Sequence, residues 1–232
     1  MEKSEFVQKK LAPLKGRKKE VDPRNKLNEL TGKEWIKDTC SIWYQRGLGK
    51  DHPHTFYERQ HPAPFAFLMV QRLLRFFTKR NDLVLDPFCG VASTLKACAL
   101  NNRKGVGIEL IRKWTELGKK RLESETDGGL PQEIIQGDSR EVMKKFEDEK
   151  FDFIVTSPPY WKILNKPADH RVREERLENN LATKYSEDKS DLGNIKNYEV
   201  FLQELKKIFS ECYRSLKSNK YMVIVADDFK QK

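Results

Sequence analysis

The chain has 232 residues, 38% hydrophobic and 34% charged, with 45 Lys and Arg against 35 Asp and Glu for a formal net charge of +10. That length suits one α/β domain with extensions, and no run reaches the roughly 18 apolar residues of a membrane helix, which excludes a spanning helix. Cys40, Cys89, Cys98 and Cys212 are scattered without disulfide-framework or paired metal spacing, and His52, His54, His61 and His170 lack partner ligands, so no metal is expected.

Residues 1–33 read as a basic flexible arm, with Lys9-Lys10, Lys15-Gly16-Arg17-Lys18-Lys19 and Arg24 to Lys26 broken by Pro13 and Pro23. Such an arm neutralises phosphates without reading sequence, and the net positive charge suits a polyanion. A plain disordered leader, solvated helix faces and adaptation to heat are the blander readings of the same charges. The Lys-rich start lacks the apolar segment of a secretion signal, so a cytoplasmic protein is expected.

Residues 34–232 carry repeated strand and helix signals. Phe67, Leu68, Val70, Leu73, Leu74 and Phe77 have helical spacing and predict a helix over Phe65–Thr78 that packs on a sheet. Leu83–Asp86 reads as a buried strand ending in a carboxylate, followed by the turn Pro87-Phe88-Cys89-Gly90 and a helix from Ser93 to Asn101. That arrangement presents backbone N–H groups to a ligand. It is not the dinucleotide fingerprint, because Ala92 stands where a second glycine belongs and no third follows, so a pyrophosphate is not the expected guest. A second strand, Val106–Glu109, ends in an acid placed to accept hydrogen bonds from ribose hydroxyls. A helix over Ile111–Ser124 follows. The strand Glu133–Gln136 then leads into Gly137-Asp138-Ser139, which puts Asp138 at the carboxyl edge of a parallel sheet, and a helix over Ser139–Glu147.

The fourth strand, Phe153–Thr156, runs into Ser157-Pro158-Pro159-Tyr160-Trp161. Each proline fixes its own φ and lacks an N–H, which stiffens the backbone and keeps its carbonyls out of a helix. A rigid carbonyl beside a Ser hydroxyl can accept both hydrogens of an exocyclic amine, and the aromatic next to it can stack on a base. Taken alone, this stretch is better read as a Ser-Pro-Pro turn closing a strand. The upstream strand-turn-helix shifts the choice towards a site. From 161 to 197 the periodicity vanishes, and a substrate-side insertion loop is expected there. A helix over Tyr198–Leu216 and a strand over Met222–Ala226 complete the pattern. Alternating strands and helices imply parallel pairing with right-handed crossovers.

Asp86-Pro87-Phe88-Cys89-Gly90, Glu109, Asp138 and Ser157-Pro158-Pro159-Tyr160 together resemble the S-adenosylmethionine-dependent DNA amino-methyltransferases, and the Ser-Pro-Pro-Tyr form is most similar to the N4-cytosine branch. His61-Pro62-Ala63-Pro64-Phe65 and Tyr198-Glu199-Val200-Phe201-Leu202 extend the resemblance from about Trp35 onward. It implies an α/β, Rossmann-like methyltransferase fold with a mostly parallel sheet in the order 3-2-1-4-5, flanked by helices. It also implies S-adenosyl-L-methionine as cofactor and double-stranded DNA as substrate in a restriction-modification setting. Asp86, Pro87, Phe88, Gly90, Ser93 and Thr94 would shape the cofactor turn, Glu109 would take the ribose, Asp138 with Ser139 the adenine, and His61 with Phe65 the methionine side. Ser157, Pro158, Pro159 and Tyr160 would hold the flipped base, and Trp161, His170, Arg171 and Arg173 would touch nucleic acid. Cys89, in the cofactor turn, is not expected to act as a nucleophile.

Two departures accompany the resemblance. Gly90-Val91-Ala92-Ser93-Thr94 replaces the family's more usual Gly-Ser-Gly-Thr-Thr, and an added methyl would crowd the backbone approach. The chain also stops where the family continues into two more strands, which predicts an uncovered sheet edge completed by a second chain. Adenine-N6 transfer, RNA amino-methylation and an inactive nucleic-acid-binding remnant are the alternatives to cytosine N4.

Overall fold

In the computed structural model, residues 20–44, 48–49, 52–161, 174, 177–179 and 185–226 are described. The N-terminal helix α1, Gly32–Asp38, starts at a capping box in which Thr31 and Glu34 satisfy each other's backbone N–H groups. The segment before it is docked. Asn28 is buried and its amide donates to the Phe76 carbonyl at 2.6 Å, while Lys79 reaches the Asn25 carbonyl at 2.6 Å. From Asn25 on, the expected arm of residues 1–33 packs on the folded body, because the Asn28 side chain reaches the carbonyl of Phe76, in the last turn of the helix Phe67–Phe77, and Lys79 just beyond it reaches back to Asn25. Residues 1–19 lie outside the described residues.

Helix α2, Phe67–Phe77, precedes β1, Leu83–Asp86, and the pattern then alternates: α3, Ser93–Leu100; β2, Lys104–Glu109; α4, Arg112–Glu125; β3, Gln132–Gln136; α5, Ser139–Val142; β4, Phe151–Thr156; α6, Tyr198–Ser215; and β5, Leu216–Ile224. Helix α5 tightens into a 3-10 turn, Met143–Lys145, so the predicted helix over Ser139–Glu147 is half as long and less regular than its pattern suggested. The five strands lie in the order 3-2-1-4-5, all parallel. Leu85 stands between Val106 and Ile154 in register, which fixes β1 as the central strand.

Alternation along the central strands divides the core between two faces. Val84, Phe153 and Val155 pack with Val70, Leu73 and Leu74 of α2 and Ala97 and Cys98 of α3. Leu85 and Ile154, one residue on, pack with Met143, Phe146, Phe201, Leu205 and Ile208 on the opposite face. A parallel sheet covered by helices on both faces has its ligand-binding positions at the carboxyl ends of its strands.

Strand β5 begins six residues earlier than its apolar run. Phe151 pairs with Leu216 but Phe153 with Tyr221, so the intervening polar residues bulge, with Asn219 in the left-handed region at φ 61°. Among the described residues β5 pairs with β4 alone, and Tyr221 and Ile224 are about half exposed.

Candidate active site

The carboxyl ends of β1, β2 and β4 are stitched together by two buried carboxylates. Asp86 is 1% exposed. Its Oδ1 accepts from the Phe88 N–H at 3.0 Å and from Thr156 Oγ1 at 2.7 Å, and its Oδ2 accepts from Thr94 Oγ1 at 2.5 Å. One side chain thus fixes the turn after β1, the first turn of α3 and the last residue of β4. Burial pushes its carboxyl up to about 6, against the lowering effect of those three hydrogen bonds.

Glu109 makes the second tie. Its Oε2 accepts from the Gly90 N–H at 3.0 Å and its Oε1 from the Ile111 N–H at 2.8 Å, so it joins the β1 turn to the entry of α4. Burial raises this carboxyl to about 7. Gly90 has φ +51°, and a Cβ on it would stand 3.3 Å from Nε2 of His61, so backbone conformation favours glycine and any side chain would crowd the imidazole. Burial pushes the Cys89 thiol well above its ordinary range, which leaves it protonated and without nucleophilic character.

Ala92, in the left-handed region at φ 61° and ψ 35°, is fully buried. Its methyl packs with Leu95 and Ile134 and lies 3.2 Å from the Cβ position of Gly118 on α4. The crowding expected from this methyl falls on α4, which carries a glycine to receive it.

These elements enclose a cavity of roughly 450 Å³, within the ~300–1,000 Å³ usual for small-molecule sites. Of the residues predicted for the cofactor, His61, Phe65, Pro87, Phe88, Gly90, Ser93, Glu109, Asp138 and Ser139 line it, and so do Ser157, Pro159 and Tyr160 of the tetrad. Asp86 and Thr94 stand behind the wall and brace it. Ser157 Oγ lies 3.3 Å from the Tyr160 hydroxyl. Asp138 caps α5 and is gripped by the guanidinium of Arg140, which also reaches Glu204 at 2.8 Å and the Ser190 carbonyl at 3.0 Å. Ser139 Oγ donates to the Pro87 carbonyl at 2.5 Å.

Trp161, expected at nucleic acid, turns its indole N–H to the Ile195 carbonyl at 2.9 Å and packs against Tyr198. His170, Arg171 and Arg173 lie outside the described residues. The end of the expected 161–197 loop belongs to the site. Tyr185, Asp191 and Leu192 line the cavity, and Asp191 is held by Ser186 Oγ at 2.8 Å and the Gly193 N–H at 2.9 Å.

Sequence reasoning passed over these three and also Trp114, whose ring meets His61 edge-on at 4.9 Å and whose N–H donates to the Tyr185 carbonyl at 3.1 Å. Trp114 had a signal, being the one large apolar residue in the charged first turn of its helix; Tyr185 and Asp191, in an aperiodic polar stretch, had none. Among the described residues no helix is long and apolar enough to cross a membrane, and no group of three or more His, Cys, Asp or Glu could hold a metal.

The model of the N6/N4 DNA methylase family matches residues 2–120 and 151–232. The chain belongs to that family. It is 33% identical over 104 residues to the type II methyltransferase M.BglI of Bacillus subtilis, a match covering 45% of this chain and 27% of that protein. It is 35% identical over 65 residues to the orphan methyltransferase M.BamHII of Bacillus amyloliquefaciens, covering 28% of this chain and 24% of that protein. A tRNA (guanine(10)-N2)-dimethyltransferase of Methanothermobacter thermautotrophicus is 33% identical over 109 residues, covering 44% and 31%. The chain's matches span about a quarter to a third of these relatives' lengths.

Membership in the family implies S-adenosyl-L-methionine as the cofactor, and the cleft fits it. Glu109, Asp138 and Ser139 bring polar groups to its lining, and Phe65, Phe88 and Ile108 supply apolar walls.

Proposed function

We propose that the chain transfers a methyl group from S-adenosyl-L-methionine to the exocyclic amino group of a base extruded from double-stranded DNA, with cytosine N4 as the favoured acceptor. The observation that carries this reading is the shared cavity: the Gly90 turn and Ser157, Pro159 and Tyr160 of the tetrad line one space, and Asp86 ties their two strands together through Thr156.

When bound, S-adenosyl-L-methionine supplies an activated methyl group, so the protein's task is alignment. Glu109 and the Gly90 turn hold the donor side. Ser157 Oγ and the Pro158 carbonyl accept the two amine hydrogens and turn the nitrogen lone pair out of conjugation with the ring. Tyr160 stacks on the base, which must leave the duplex to reach the cavity. The prolines keep these acceptors fixed while the base enters.

The test is calorimetric titration with the cofactor, then incubation with duplex DNA and labelled cofactor, followed by nucleoside analysis. Label in N4-methylcytosine supports the reading, label in N6-methyladenine moves the acceptor, and a folded chain without saturable cofactor binding leaves only a nucleic-acid-binding remnant. The similarity to a protein named for a tRNA amino group favours RNA as the second reading. Parallel incubation with tRNA separates the two.

A further inference from the structure

A buried ion network lies behind the cleft, centred on Arg121 of α4, which is fully buried yet does not line the cavity. Its Nη1 donates to the Val91 carbonyl at 3.1 Å and to Ser93 Oγ at 2.9 Å, bracketing the left-handed Ala92. Its Nη2 meets Glu58 at 2.8 Å, and its Nε meets Glu125 at 3.0 Å. Lys96 shares that Glu125 carboxylate at 2.5 Å. The two anions offset the two cations, and each N–H of the fork that faces the turn or Glu58 has an acceptor.

The two contact sets of Arg121 lead to two sides of the cleft. Val91 and Ser93 flank the Gly90 turn and line the cavity, whereas Glu58 lies three residues before His61, the lining residue whose ring a Cβ on Gly90 would meet at 3.3 Å. A left-handed backbone is unfavourable for any residue carrying a Cβ, so an alanine there must be held by its surroundings. Planar, forked donors suit that task, and an ammonium would not bracket both acceptors.

We infer that Arg121 is a positioning residue for the cofactor cleft: it holds the Ala92 turn in its left-handed form and ties it, through Glu58, to the wall carrying His61. This rests on the methyltransferase reading given above.

The test compares Arg121→Met and Glu58→Ala, each with and without Ala92→Gly, in the full chain. Amide hydrogen exchange without ligand and calorimetric titration with S-adenosyl-L-methionine are the two readouts. Arg121→Met is expected to speed exchange in both 58–66 and 89–94 and to weaken cofactor binding by about tenfold or more. Ala92→Gly should recover most of that loss, because glycine adopts the left-handed turn without a brace. Glu58→Ala should loosen 58–66 alone, with no rescue from Ala92→Gly.

Unchanged exchange and affinity in Arg121→Met overturn the inference, as does rescue of both variants alike, which would mark Ala92→Gly as a general stabiliser. If Arg121→Met does not fold, Glu58→Ala decides: wild-type exchange in 58–66 overturns the proposal. Coupled loosening in a wild-type background that binds no cofactor upholds the brace and sinks the functional reading instead.

Discussion

Glu109 and Asp86 are two carboxyls whose protonation the site controls. Both carboxyls are raised by burial, to about 7 and about 6, so the folded chain keeps protons that the unfolded chain has released. Their contribution to stability is therefore complete below about pH 4 and is lost as the pH rises through 6 and 7. Ligand binding runs the other way. Ribose hydroxyls donate to an ionised carboxylate, so cofactor affinity measured by calorimetry should rise severalfold between about pH 6 and pH 8 and level off above. Glu109→Gln should flatten that profile, and an unchanged slope would remove Glu109 from the ribose. Thr156→Val deletes one of the three hydrogen bonds to Asp86 without changing volume, and should cost about 1–2 kcal/mol in urea unfolding.

Glu109 and Asp86 were legible in the sequence because each closes an apolar run, and a strand that ends in an acid places it at the sheet's carboxyl edge. Their partners were not. Nothing in the spacing says that Thr156 reaches Asp86 across 70 positions. Likewise, Arg140 takes Asp138 because a capping Asp and an Arg two residues on happen to share one helix end.

At the scale of elements, the strands of the sheet depend on what rests on them. Gly107 of β2 lies beneath the Gly90 turn: a Cβ there would stand 2.7 Å from both Cβ and Sγ of Cys89 and 2.9 Å from Leu95. Gly107→Ala should cost about 1–3 kcal/mol by thermal or urea unfolding. Gly32→Ala, with nothing within 4 Å, is the control and should change stability little. Equal losses in the two would mean that the turn does not seat on β2. The strand Leu83–Asp86 could be read to the residue because it is apolar and brackets a turn, and β4 and α6 nearly so. Strand β5 was read late because Lys217 to Lys220 are polar and Asn219 breaks the extended backbone, a bulge that hydrophobic periodicity does not register. The segment Tyr185–Asn194 is aperiodic because it packs by single contacts, Asp191 to Gly193 and Tyr185 to Trp114 among them, and not by a repeating face.

For the whole molecule, alternation implied a parallel sheet, while its strand order came from the family resemblance, and a parallel sheet whose first strand is central brings the ends of β1 and β4 side by side. What joins those ends is the Asp86 carboxylate, which accepts from the Thr156 hydroxyl that closes β4. The measurement that bears hardest on this account is methyl transfer by Ser157→Ala against the wild type, with cofactor affinity determined on the same samples. A wild-type chain that labels the amino group of a DNA base, beside a variant that binds the cofactor within about twofold of wild type and transfers nothing, is the outcome expected if the tetrad holds the acceptor and the Gly90 turn the donor. Loss of cofactor binding and transfer together in Ser157→Ala, or transfer that survives the substitution, would contradict it.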